Sequence, residues 1–247
     1  MSPTSFIQNR GLTTGGLEIA DHLVMKKSTY GYVCAVAIAI LLLPTARLAS
    51  GEWYVAGQVG VNFADRLANV EGTGSLIGQK AQSPGQDFDL KNATVYGGKL
   101  GYFGNNGPIG LELDVFNSQP NMKSFINTST GEYVPGVHLR VTNVGVNLLL
   151  RYPGQTFQPY VGVGGAALVS HIADSATTRS DSDVGFGLNL LAGLRAFVTP
   201  YVALFAEYKY TRGTLTFNDA FGSVGGFSGD YRAQHVVFGV SYHFSIP

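Results

Sequence analysis

The sequence is short of charge. Only 13% of its 247 residues are Asp, Glu, Lys or Arg, about half the roughly 25% of an ordinary soluble domain. A surface with so few charges is ill suited to water on every side. Its 16 basic and 16 acidic residues cancel, which leaves no basic footprint for a nucleic-acid partner. Cysteine is nearly absent: the single Cys34 lies near the N-terminus, so there is no disulfide framework. Four later histidines, His138, His171, His235 and His243, lack metal-ligand spacing. The acidic stretch from Asp174 to Asp183 lacks the Gly and final Glu of a calcium loop. No cofactor is expected. Long apolar runs are missing too. The longest, Val33 to Leu43, would span about 16 Å as a helix, roughly half of a bilayer core.

That run has the surroundings of a secretory signal. Met25-Lys26-Lys27 precedes it, and Pro44 and the small-residue stretch Ala46-Arg47-Leu48-Ala49-Ser50 follow it. A basic start, an apolar centre and a small residue at the end describe a signal peptide. Cleavage is expected after Ser50, with Ala49 as the neighbouring site. Residues 1–24 are polar and patternless, so we read them as a spurious extension, with translation starting at Met25. This divides the chain into an extension (1–24), a signal peptide (25–50) and a mature domain (51–247). Cys34 opens the apolar run, whereas a lipoprotein cysteine would follow it.

What the mature chain has in quantity is glycine, aromatics and alternation: 33 Gly and 12% aromatic residues overall. The segment Phe186 to Thr211 shows the pattern best. Phe186, Leu188, Leu190, Ala192, Leu194 and Ala196 share one parity, and Asn189, Gly193 and Arg195 the other. After a hinge at Thr199-Pro200, Val202, Leu204, Ala206, Tyr208 and Tyr210 alternate with Ala203, Glu207 and Lys209. Side chains in a strand alternate between faces, so this is a hairpin with one apolar and one polar face. A helix would be interrupted on every stripe by Arg195, Glu207 and Lys209.

The same rhythm recurs eight times. Strands of roughly ten residues are joined alternately by long polar loops and short turns. The loops run from about Ala64 to Lys91, Asn117 to Gly136, His171 to Asp183 and Phe217 to Arg232. The turns fall at Gly104–Pro108, Pro153–Gln155 and Thr199-Pro200. Upstream of strand four, His138 and Arg140 take the parity of its apolar face, which implies either a bulge near Val141-Thr142 or a strand that has left the membrane. Ten residues suit a tilted strand crossing a bilayer, where a spanning sheet must close to satisfy its backbone. The expected fold is all-β: an eight-stranded antiparallel up-and-down transmembrane β-barrel. Trp53, Phe63, Tyr102, Tyr152, Tyr210 and Phe244 sit at strand ends, as girdle aromatics do. A soluble sandwich would instead show a Lys- and Glu-rich outer face; here the polar face is mostly Gly and Asn.

An eight-stranded barrel has an interior that side chains fill. The polar parity puts Lys99, Glu112, Asp114, Arg151, Arg195, Glu207 and Lys209 there, with Gln58, Asn62, Asn143, Asn147 and Asn189 around them. Buried charges must be paired, so these residues are expected to form a structural ion-pair network. That reading is favoured over acid–base catalysis by Glu112 or Glu207. Arg151 and Arg195 adjoin short turns, which places them at the periplasmic end. Gly162-Val-Gly-Gly-Ala-Ala fits a loose dinucleotide pattern but lies within a strand, without the helix that chemistry needs. Ser170, His171 and Asp174 contain triad residue types; Ser170 and His171 are adjacent and face opposite ways, so a solvated loop is the simpler reading.

The run Pro159-Tyr-Val-Gly-Val-Gly-Gly-Ala, the segment Gly185-Phe-Gly-Leu-Asn and Phe205-Ala-Glu-Tyr-Lys-Tyr resemble the eight-stranded outer-membrane barrels of the OmpA-type and opacity-type family. The last strand, with Tyr242 and Phe244, is similar to the terminal signal read by the outer-membrane assembly machinery. In the family the aromatic commonly closes the chain, whereas here Ser245-Ile246-Pro247 follow it. The resemblance covers nearly all of 51–247 and implies a barrel-only member in the outer membrane of a Gram-negative bacterium. Its expected partners are membrane lipids, lipopolysaccharide and the assembly machinery, and its expected state is a monomer. The expected function is non-enzymatic: loops presented for adhesion or environmental contact, together with envelope integrity. The alternatives are a membrane enzyme that modifies lipid A, which would need a lipid-facing Ser/His pair, and a small channel, which a filled lumen opposes.

Overall fold

The computed structural model describes residues 51–75, 77, 88–104, 107–126, 133–134, 136, 138–173, 180–220 and 225–246. The chain divides into two units, Met1–Leu48 and Ala49–Pro247. The extension, the signal peptide, Cys34 and Asp174 therefore lie outside the described residues, and all the described strands belong to the second unit.

Every regular element is a strand: β1 (Gly51–Gly74), β2 (Phe88–Asp89), β3 (Ala93–Gly104), β4 (Ile109–Ser118), β5 (Phe125–Ile126), β6 (Tyr133–Val134), β7 (Leu139–Arg151), β8 (Phe157–Ile172), β9 (Asp181–Phe197), β10 (Val202–Phe217) and β11 (Gly225–Ile246). Eight of them, β1, β3, β4 and β7 to β11, pair antiparallel with their sequence neighbours, and β11 pairs back onto β1. The ring is closed, so no barrel edge is left unpaired. The fragment β2 adds to β1, and β5 pairs with β6 within the connection from β4 to β7.

The strands outrun the lengths expected from alternation. β1 has 24 residues and β11 has 22, while β4 has 10. The stretch after Ala64, expected to be loop, continues β1 as far as Gly74. Likewise Phe217 to Arg232 is largely strand, and Ser170 and His171 lie inside β8 rather than in a loop. In β1 the reason is a pair of bulges, between Ala64 and Arg66 and between Ala68 and Glu71. Each spends one extra β1 residue against β11 and flips the parity of everything after it, which scrambles the alternation in the sequence. Asn69, at φ 52°, sits in the second bulge.

The two faces exchange character along the barrel. Toward the short-turn end the outward side chains are apolar and exposed, including Val59, Leu111, Leu148, Val161, Leu190 and Phe238, while the inward ones are polar and buried. Toward the long-loop end the inward face becomes a dry cluster containing Leu67, Leu139, Val141, Leu168, Ile172, Leu215, Phe217 and Tyr231. There the outward face carries Arg140, His171, Arg212 and Arg232. Strand β7 keeps one register against β8 from Leu139 to Arg151, so no bulge lies near Val141-Thr142. Arg140 faces out because the surroundings have changed at that height.

The glycines make room for large inward rings. Gly101 is the register partner of Tyr54, Gly193 of Tyr160 and Gly239 of Phe205. A Cβ at Gly193 would stand 2.5 Å from Tyr160 Cζ, and one at Gly101 would stand 2.1 Å from Tyr54 Cε1 and Cζ. In a barrel this narrow an aromatic can lie flat across the lumen only where its cross-strand neighbour has no side chain.

Candidate functional site

The lumen is filled in layers. In the middle, β3, β4 and β10 point Lys99, Glu112, Asp114, Glu207 and Lys209 at one another, all of them buried. Lys99 Nζ donates to both oxygens of Glu207, at 2.8 and 2.7 Å, and to Glu112 Oε1 at 3.1 Å. Lys209 Nζ donates to Asp114 Oδ2 and to Gln58 Oε1 at 2.9 Å, and lies 3.3 Å from Glu207 Oε1. Neutral groups take up the remaining oxygens. Tyr54 Oη donates to Glu112 Oε2 at 2.5 Å, Tyr160 Oη to Glu207 Oε2 at 2.8 Å, and Gln58 Nε2 to Asp114 Oδ1 at 2.6 Å.

Arg195 balances this layer without an ion pair of its own among the described residues. Its guanidinium lies 4.1 Å from the Tyr54 ring centroid and 4.8 Å from that of Tyr160. Those are the two rings whose hydroxyls donate to Glu112 and Glu207. Three carboxylates thus face Lys99, Lys209 and a cation–π-bound Arg195, a neutral set. Deep charges without such balance would carry an unrecovered desolvation cost.

Arg151 belongs to a second group nearer the short-turn end. Its Nη2 pairs with Glu52 Oε2 at 2.6 Å, its Nη1 donates to Gln158 Oε1 at 3.2 Å, and it stacks 3.8 Å from the Phe103 centroid. Glu52 also contacts His243 Nδ1 at 2.5 Å. Sequence reasoning left Glu52 out, although it shares the parity of Tyr54 and Gln58. This group borders a recess of about 620 Å³ that opens among Gln158, Phe197, Tyr201 and His243.

Above the middle layer lies an amide layer. Asn143 and Asn189 exchange hydrogen bonds at 3.1 and 3.2 Å, Thr211 Oγ1 donates to Asn189 at 2.9 Å, and Asn62 reaches Ser118 and Tyr231 at 3.4 Å. The apolar cluster of the long-loop end caps it. His235 is buried here, edge-on to Phe116 at 5.0 Å. The triad types do not assemble: Ser170 is buried, with its hydroxyl on the Asp183 carbonyl at 3.3 Å, while His171 faces out to Ser182 at 2.9 Å. The Gly162–Ala167 run is interior to β8, against β7 and β9. Tyr242 and Phe244 face outward and stack at 6.1 Å, and Trp53 packs on Tyr102 at 4.9 Å.

A closed ring of eight antiparallel strands, apolar outside and charged within, defines the class of membrane-spanning β-barrels. The chain belongs to the outer membrane protein beta-barrel domain family, whose model matches residues 34–244. Its place is thus the outer membrane of Gram-negative bacteria, where barrels of this class keep short turns on the periplasmic side and longer loops outside. Among solved structures it is similar to the outer membrane protein OprG from Pseudomonas aeruginosa, at 16% identity and a TM-score of 0.51, covering 79% of this chain and 97% of that one. It is also similar to Neisserial surface protein A, at 14% identity and a TM-score of 0.49, covering 78% and 97%. A third is the outer membrane protease OmpT from Escherichia coli, at 11% identity and a TM-score of 0.46, covering 81% and 100%. No curated protein sequence matches the chain.

Proposed function

We propose that this barrel is a non-conducting, non-enzymatic surface protein, which anchors its loops for adhesion or environmental contact and contributes to envelope integrity. One observation carries the reading: above the recess at the short-turn end, the lumen is filled in succession by the Glu52–Arg151 group, the neutral charge layer, the amide layer and the apolar cap. A pore needs a wetted path, and the cap offers none. An acid–base enzyme needs a carboxylate that substrate can reach, whereas the Glu112 and Glu207 side chains are completely buried. The long connections all leave from the extracellular end, which places chemical variety where outside partners arrive.

The same reading has the leader 25–50 removed after Ser50 or Ala49, Met25 as the start, and Tyr242 and Phe244 as the outward aromatic pair engaged by the assembly machinery. Single-channel recording in planar bilayers tests the central claim. Bilayers that stay electrically silent are expected, and a large steady conductance would overturn it. Mass determination of the mature N-terminus tests the leader, and any peptide from residues 1–24 would refute the start at Met25.

A further inference from the structure

The recess at the short-turn end has a built floor. Arg151 donates through Nε to the Gly107 carbonyl at 3.2 Å and through Nη1 to Gln158 Oε1, and Gln158 Nε2 donates to the Gly154 carbonyl at 2.9 Å. Two of the short turns are thereby fastened to one guanidinium. The same guanidinium holds Glu52 at 2.6 Å, from β1, three strands away around the ring. His243, on β11, engages Glu52 Oε1 through Nδ1 at 2.5 Å and Ser241 Oγ through Nε2 at 2.9 Å. A neutral imidazole satisfies both contacts, with Nδ1–H donating to the carboxylate and Nε2 accepting from the hydroxyl.

Of the three charged or ionisable side chains, Glu52 is the one that shows itself to the recess. Its side chain is 16% exposed, against 2% for Arg151 and 3% for His243. A carboxylate offers about four lone-pair sites. Arg151 takes one on Oε2 and His243 one on Oε1, so acceptor capacity remains for whatever enters. The walls supply rings: Phe197, which packs on His243 at 4.8 Å, and Tyr201, 60% exposed on the turn between β9 and β10. Fixed acceptors and aromatic faces thus share a volume of about 620 Å³, inside the range of about 300–1,000 Å³ for small-molecule sites.

We propose that this recess binds an uncharged saccharide, with ring hydroxyls donating to Glu52 and a C–H face of the sugar packed on Tyr201. Charge argues against an ion. Arg151 cancels Glu52, His243 is neutral and the middle layer sums to zero, so no net field draws a cation or an anion in. Position argues against an acyl chain. Residues 153–155 and 198–201, in two of the short turns, form the walls, beyond the Trp53–Phe244 pair at the aromatic border. The mouth therefore opens to water, which is the periplasm in the orientation that barrels of this class keep. A polyol suits because each hydroxyl both donates and accepts, so it meets Glu52 and Gln158 without bringing charge. The site is independent of the loops at the opposite end and of what they contact.

The test places the complete barrel in phosphatidylcholine nanodiscs and reads saturation-transfer difference NMR, with empty discs subtracted. The probes are two neutral trisaccharides, maltotriose and tri-N-acetylchitotriose. At least one should receive saturation at its ring C–H protons, with a Kd tighter than about 10 mM. Preference between the two tells a glucan from an N-acetylated glycan, and either supports the site. Tyr201→Ala should weaken binding about five-fold while Tyr201→Phe keeps it, because the ring makes the contact. Glu52→Gln should weaken it about five-fold by exchanging a charged acceptor for a neutral one. Heat-modifiable migration confirms that each variant is folded before its ligand is counted. A wild type that transfers saturation to neither trisaccharide would overturn the proposal, as would binding unchanged in Tyr201→Ala and Glu52→Gln. Displacement of the sugar by spermidine at equal concentration would assign the recess to a polyamine and also overturn it.

Discussion

The neutral charge layer makes a quantitative prediction through Lys99 and Glu207. Lys99→Met leaves Glu112, Asp114 and Glu207 facing only Lys209 and Arg195, an excess of one negative charge. Glu207→Leu leaves Lys99, Lys209 and Arg195 facing two carboxylates, an excess of one positive charge. Each single change also removes the 2.7 and 2.8 Å hydrogen bonds between the two side chains. Removing one partner of a buried pair costs about 3–5 kcal/mol, so each variant should lose that much. In the double variant Lys209 still holds Asp114, Tyr54 still donates to Glu112, and the surviving charges balance. The two losses should therefore fall short of adding by at least about 2 kcal/mol, within the range for residues sharing a network. Urea unfolding from phospholipid bilayers, followed by the fluorescence of the sole tryptophan, Trp53, measures all four corners of the cycle. Additivity to within about 0.5 kcal/mol would refute the coupled network, as would either single variant costing under about 1 kcal/mol.

Three further predictions rest on the packing. Gly101→Ala pushes a methyl into the Tyr54 ring and should cost about 1–3 kcal/mol, while Gly165→Ala, whose added carbon meets nothing within 4 Å, should leave the unfolding midpoint unchanged. Glu52→Gln strips Arg151 of its ion pair and should cost about 1–3 kcal/mol in the same urea assay; adding Arg151→Met should recover part of the loss. Phe217→Ala hollows the apolar cap and should cost about 3–5 kcal/mol. Limited proteolysis should show that variant cut faster at the extracellular end, with the periplasmic turns unaffected.

How much of this was legible in the sequence depended on whether period two survived. From Phe186 to Ala196 parity alone assigned both faces, because β9 and β10 pair there without a bulge. From Ala64 to Gly74 it failed, because two single-residue insertions each reversed the parity and left a stretch that reads as polar loop. Near Arg140 the parity was sound but the assumption of one solvent along the whole strand was not: beyond the bilayer the barrel turns apolar inward. Among the charges, parity placed Lys99, Glu112, Asp114, Glu207 and Lys209 on a common face. It could not say that Arg195 would be held by rings rather than carboxylates, since that depends on Tyr160 from the neighbouring strand β8 and on Tyr54, distant in sequence and brought across the lumen by the closed ring. Glu52 was within reach, since its parity matched its neighbours, but its place two residues into the strand made it look like a terminus.

The seam between β1 and β11 has a consequence for how the chain folds. It joins the two barrel segments farthest apart in sequence, from Gly51 opposite Ile246 to Gly74 opposite Gly225. Every other junction is between sequence neighbours and forms as a local hairpin or meander. This one has to wait until both ends exist, and its loop-closure entropy must be met before any pairing rewards it. Until then the sheet carries two open edges, each able to template association with another chain. A seam of 24 and 22 residues, roughly twice what the bilayer crossing uses, supplies extra pairs outside the membrane to draw the edges together. The surplus length of these two strands works as a zipper tab, and shortening it should slow ring closure more than it weakens the finished barrel.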